Sequence, residues 1–144
     1  NCNTLLVHNT EMTQAEFEFI ANGWPRSYFV LCPLANSYIH GTLPDARMFS
    51  AYPEHICLGT DSLAGNDALS LLAEMNSLQT AYQLPSEMLL RWATLNGAKA
   101  LALDVSRFEV VQGSHPILIQ IPEFTGAEPL LPAQSHVQFL KTCS

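Results

Sequence analysis

Three short, unbroken apolar runs, at residues 5–7, 28–32 and 56–58, constrain this chain most, because each gives way to a polar loop and then to a stretch with helix signals. Strands that are apolar throughout, rather than alternating, suit a parallel sheet covered on its faces, and parallel strands need long, usually helical crossovers. The fold class is therefore α/β. In the first unit Leu5-Leu6-Val7 ends at His8-Asn9-Thr10, and Thr13 with Glu16 three residues later fits a capping box. Phe17, Ile20 and Ala21 then share one helical face, and Gly23 is placed to close the helix.

The second unit runs from Tyr28-Phe29-Val30-Leu31-Cys32 to a break at Pro33, a polar loop over 36–42 and a short helix over 45–49 with Pro44 in its first turn. The third has Ile56-Cys57-Leu58 as strand, Gly59-Thr60-Asp61-Ser62 as its exit and Gly65-Asn66-Asp67 in the following loop. Leu69, Leu71, Leu72, Met75 and Leu78 then predict a helix over 68–79. Beyond Pro85, Met88, Leu89, Trp92 and Ala93 predict a helix over 86–94, and a shorter one begins near Asn96. Past Asp104 the pattern changes to β-rich pieces at 108–111, 117–121 and 137–140, with a Pro-, Gly- and Ala-rich loop over 122–135. The chain thus divides into an α/β part over 1–104 and a segment of a small β-domain over 105–144.

Composition narrows the partners. The chain of 144 residues is 48% hydrophobic and 13% charged, which places it among globular sequences. A net charge of −7 without a basic cluster argues against nucleic acid or an anionic membrane surface. No apolar run is long enough to cross a bilayer and the opening residues carry no secretion signal, so a cytoplasmic location is expected. Four cysteines are too few for a disulfide scaffold, and Cys32 and Cys57, inside apolar runs, are expected as buried free thiols. No CxxC or Cys/His cluster indicates a zinc knuckle.

In parallel sheets chemistry collects beyond the carboxyl ends of the strands, where this sequence places His8, the Asn36-Ser37 segment and Asp61. Asp61, two residues past Gly59, has two readings: it caps a turn or the next helix, or it binds a divalent metal and takes a proton from the water that the metal activates. His8, at the equivalent point of the first strand, is placed to hydrogen-bond a substrate or the attacking water. His40 reads as an exposed loop residue, and His55, His115 and His136 as surface or packing residues without a role.

Four segments carry a family resemblance: Leu5-Leu6-Val7-His8-Asn9, Cys32-Pro33-Leu34-Ala35-Asn36-Ser37, the run from Leu58-Gly59-Thr60-Asp61-Ser62 to Gly65-Asn66, and Ala93-Thr94-Leu95-Asn96-Gly97-Ala98-Lys99-Ala100-Leu101. In this order they resemble the late part of the amidohydrolase superfamily. The similar branch is that of cytosine deaminase and the chlorohydrolase-like enzymes, which includes deaminases of guanine and of adenosine-type compounds. The resemblance implies the carboxyl-terminal part of a (β/α)8 barrel plus part of a small β-sandwich. It implies Asp61 as metal ligand and proton shuttle, His8 as a contact to substrate and to the incoming water or leaving group, and Asn36 and Ser37 as substrate-pocket residues. The implied reaction is hydrolysis of a carbon–nitrogen bond in a ring amine or amidine, with zinc, or alternatively iron, as the divalent metal.

The family's His-x-His pair and its fifth-strand histidine are absent. One carboxylate does not hold a catalytic zinc, which takes about three protein ligands and an open position. This chain alone is therefore expected to bind no metal and to be inactive. Three β/α units also cannot close a barrel of eight strands, so the partners expected are a small-molecule substrate, the missing amino-terminal part of the barrel and, through open strand edges, other copies of the chain. The alternative is a non-catalytic α/β module that acts through those edges. A nucleotide-binding doubly wound sheet is a third reading, and no Gly-rich phosphate loop supports it.

Overall fold

A computed structural model describes residues 2–122, Phe124 and the backbone of Gln138–Phe139. Three parallel strands form the sheet, β1 (Thr4–Val7), β2 (Ser27–Leu31) and β3 (Ile56–Leu58), in the order β1-β2-β3. Leu6 pairs with Phe29 and Phe29 with Ile56, which sets one face of the sheet toward the helices. Phe29, Leu31 and Ile56 on that face are fully buried. On the opposite face Leu5 and Val7 are 42% and 50% exposed, and Tyr28 and Val30, their register partners, are half-buried. One face is thus covered and the other partly open, where the unbroken apolar runs had implied cover on both.

The crossover after β1 is α1 (Gln14–Gly23), and the capping box is present: the Thr13 side chain accepts from the Glu16 backbone while the Glu16 carboxylate takes the Thr13 backbone N–H. Phe17 on its inner face meets Phe29 and Phe49 edge-on, with ring centroids 4.6 and 4.9 Å apart. After β2 the sequence reading is corrected. Residues 36–42 are not a polar loop: α2 (Pro33–His40) starts at once, with Pro33 in its first turn and Gly41, at φ 71°, closing it. Proline ends a strand, but its fixed φ equally begins a helix. Next come α3 (Ala46–Phe49), capped by the Asp45 carboxylate, and a 3-10 turn at Pro53–His55 that leads into β3.

The helix expected over 68–79 is α4 (Leu71–Tyr82), because Ser70 accepts the Ala73 N–H and sets its start. Two helices follow, α5 (Ser86–Ala93) and α6 (Leu95–Ala100). Asn96, fully buried, donates to the carbonyls of Pro53 and Ile56, both at 2.7 Å, and so ties α6 to the start of β3. Among the described residues of the tail, less is strand than the sequence suggested. Residues 108–111 form no strand, and the run at 117–121 shortens to β4 (Ile119–Gln120), antiparallel to β5 (Gln138–Phe139). Apart from Pro122 and Phe124, the loop expected over 122–135 lies outside the described residues, as do the outer positions of the 137–140 strand. No helix among the described residues is long and apolar enough to cross a membrane.

Cys32 and Cys57 are buried free thiols, as their apolar surroundings required. Burial, the largest cause in each, pushes Cys32 up to about 11 and Cys57 up to about 12. At pH 8 a thiol with a pKa of 11 is only about 0.1% thiolate, and the thiolate is the reactive form. Alkylation of the folded protein at pH 8 should therefore label exposed Cys2 and spare Cys32 and Cys57 until denaturant is added. Peptide mass mapping reads this, and labelling of Cys32 as fast as Cys2 would contradict the burial.

Candidate functional site

The two loops that leave β1 and β3 sit on either side of the end of β2. The parallel ladder runs one residue past each strand, since His8 N donates to Val30 O and Gly59 N to Leu31 O, both at 2.9 Å. At Gly59 a Cβ would lie 3.0 Å from Val30 Cγ1, so any larger residue would have to push that side chain aside for β3 to leave this close to β2. Beyond the ladder the backbone turns sharply. His8, Asn9 and Asp61 take positive φ values of 71°, 57° and 55°, conformations that cost a non-glycine residue about 1–2 kcal/mol. Asn9 steadies its own turn by donating from Nδ2 to Leu6 O at 2.7 Å.

These turns bring His8 and Asp61 face to face, with His8 Nε2 3.9 Å from Asp61 Oδ2. Both side chains are about one-third exposed, at 38% and 32%. The other side of the imidazole is held from α2. Asn36, fully buried, places Oδ1 2.8 Å from His8 Nδ1 and turns Nδ2 toward His8 O at 3.5 Å. With the amide N–H toward a carbonyl, Oδ1 faces Nδ1 as the acceptor and Nδ1 is the donor. Nε2, the other ring nitrogen, faces Asp61 across the gap.

Asp61 caps no helix, since α4 begins only at Leu71 under Ser70. Its loop is anchored by Asn66, whose Nδ2 donates to Thr60 O at 2.9 Å and to Glu74 Oε1 at 2.6 Å. The other Glu74 oxygen accepts the Leu34 N–H at 2.8 Å. Burial pushes the Glu74 carboxyl above its ordinary range, while these two donors pull it down. Sequence reasoning missed Glu74, although a signal was present: it lies on the same apolar helical face as Leu78, four residues on, where a solvated carboxylate is out of place.

Of the expected site residues the fold joins His8, Asn36 and Asp61. Ser37 is exposed, and among the described residues no hydrogen bond links it to that set. A cavity of about 490 Å³ opens beside His8 and is lined by the loop after β1 and by His40, which ends α2 rather than lying in a loop. His55, assigned no role, packs with Nδ1 2.8 Å from Ser27 O. Among the described residues no group of three or more His, Cys, Asp and Glu side chains could hold a metal ion. Among the described residues Asp61 is therefore not part of a complete metal site.

The chain is similar to several known proteins. The chain is 27% identical over 144 aligned positions to a 5-methylthioadenosine/S-adenosylhomocysteine deaminase of Saccharophagus degradans, covering 93% of this chain and 32% of that protein. Helicobacter pylori aminofutalosine deaminase, solved with methylthio-coformycin, superposes at a TM-score of 0.59 with 30% identity, covering 69% of this chain and 26% of that one. An adenosine deaminase from Xanthomonas campestris, solved with bound zinc, gives 0.59 and 28% over 68% of this chain and 24% of that one. The chain spans about a third or less of the length of the curated relatives it matches. The model of the amidohydrolase family matches residues 1–112. That match takes in all three parallel strands and the loops that set His8 against Asp61, and the chain belongs to the amidohydrolase family.

Proposed function

We propose that this chain is the carboxyl-terminal part of a metal-dependent hydrolase that removes an exocyclic amine from a nitrogen ring of the adenosine type. The observation that carries the reading is His8 Nε2 facing Asp61 Oδ2 at 3.9 Å beyond the end of β2, with His8 clamped by a buried Asn36. A carboxylate and an imidazole, side by side at a strand-end opening, form a proton-handling pair. In the proposed reaction the water oxygen bonds to the ring carbon and its proton passes to Asp61 Oδ2. The carbon–nitrogen bond then breaks as that proton is delivered to the leaving nitrogen, so the ring gains oxygen and ammonia departs. His8 Nε2 accepts a hydrogen bond from the water and holds it in line with the carbon. A divalent ion, zinc by likeness to the Xanthomonas relative, supplies electrophilic activation of that water when bound, and Asp61 is the ligand this chain contributes.

The remaining ligands and strands, on this reading, belong to chain outside these residues. The exposed Leu5 and Val7 of β1, an edge strand, suit further barrel strands or, in their absence, another copy of the chain. The antiparallel pair β4–β5 supports assigning residues from about 105 onward to a small β-sandwich.

The test is ammonia release from adenosine-type substrates by the full-length protein, with its metal content measured alongside. One divalent ion per chain and steady release are expected. Asn36→Ala should lower kcat roughly 10–100-fold, the usual cost of losing a group that orients a site residue, while the metal content holds. A metal-loaded protein that releases no ammonia from any such substrate would leave only the non-catalytic reading.

A further inference from the structure

Glu74 is fully buried, and the chemistry above does not use it. Taking a carboxylate out of water costs several kcal/mol unless hydrogen bonds or a cation offset it. None of the ion pairs among the described residues includes Glu74. For packing alone, a leucine at this position of α4 would serve as well or better. What an apolar side chain cannot do is accept two donors from two different elements.

The two donors lead to opposite sides of the site. Oε2 takes the N–H of Leu34, in the first turn of α2, the helix that carries Asn36 and through it His8. Oε1 takes the amide of Asn66, which also holds Thr60 O, the carbonyl next to Asp61. The sheet ladder fixes the chain only as far as His8 N and Gly59 N. Asn36 and Asp61 both lie beyond it; the Asp61 backbone also bonds to Cys32 at the start of α2 and Ile39 packs beside Gly65, and Glu74 is the buried side chain that holds both elements by hydrogen bonds.

We propose that Glu74 is a positioning residue that fixes the separation of His8 and Asp61 by tying α2 and the β3–α4 loop to one carboxylate. Its consequence for turnover rests on the deaminase reading; its consequence for geometry does not. Glutamine has the same size, but its amide nitrogen cannot accept, so Glu74→Gln unhooks either Leu34 or Asn66. Glu74→Leu removes both ties and keeps the apolar packing.

The experiment uses the full-length protein and three variants, Glu74→Gln, Glu74→Leu and Asn66→Ala, each measured for kcat, KM, metal content, thermal unfolding and crystal structure. A shift of about 1 Å at a reacting pair can cost about 100-fold. We expect Glu74→Gln to lower kcat roughly 10–100-fold with KM changed by less than about threefold, and Glu74→Leu to lower it as much or more while melting no earlier than the parent protein. Adding Glu74→Gln to Asn66→Ala should cost less than the two single losses combined, because both act on the same carbonyl. The crystal structures should show the His8 Nε2 to Asp61 Oδ2 distance altered. An unchanged distance, with kcat per metal-loaded site preserved and only the melting temperature lowered, would overturn the proposal. If the parent protein releases no ammonia, the deaminase reading fails, and the distance in the variants still decides the role of Glu74.

Discussion

Asp61→Asn in the full-length protein is expected to reduce ammonia release by roughly 10³-fold or more while the fold and melting temperature stay where they are. The loss is large because an amide can neither take the water's proton nor bind a cation as a carboxylate does, and a positioned proton acceptor alone contributes about 10²–10⁴-fold. The fold should survive for two reasons. The carboxylate is partly exposed, and among the described residues its polar neighbour is His8 Nε2 at 3.9 Å, beyond hydrogen-bond range. The backbone at this position has φ 55°, a conformation that asparagine tolerates better than most residues. Steady-state kinetics, metal analysis and circular dichroism on the purified variant read the outcome. Turnover within tenfold of the parent protein would remove Asp61 from the chemistry.

Phe17→Ala should have the largest effect on stability. Phe17 is fully buried, packs edge-on against Phe29 of β2, Phe49 of α3 and Tyr52, and holds α1 to the sheet. Truncating such a side chain loses transfer free energy and leaves a cavity, a cost of about 3–5 kcal/mol. That is a large share of the 5–15 kcal/mol that typically separates folded from unfolded domains. Urea unfolding should show the midpoint falling accordingly, and a change under about 1 kcal/mol would mean that the site collapses around the deletion.

The sequence was most legible where local chemistry and tertiary need agree. Apolar runs ending in His8 and in Gly59-Thr60-Asp61 marked the strand ends, because an apolar strand and a polar exit differ in composition. Thr13 and Glu16 fixed the start of α1 because both halves of a capping box lie within four residues. Pro33 misled because proline stops one element and opens another with the same fixed φ, and only the packing of Ala35 and Asn36 decides between loop and helix. Glu74 stayed hidden for a different reason. Its place on an apolar helical face was a local sign, but its donors lie forty residues upstream at Leu34 and eight residues upstream at Asn66, and no local pattern identifies partners at that range. Ser37 shows the limit of motif reading: adjacent to Asn36 in the chain, it falls on the exposed side of the same helix turn.

The left-handed backbone at His8, Asn9 and Asp61 bears on any effort to redesign this protein. Randomised libraries at those three positions would be dominated by inactive clones, because β-branched and bulky side chains are penalised there before their chemistry is ever sampled. Diversity is better spent on Thr10, Glu11, Met12 and His40, which border the adjoining cavity and carry ordinary torsion angles.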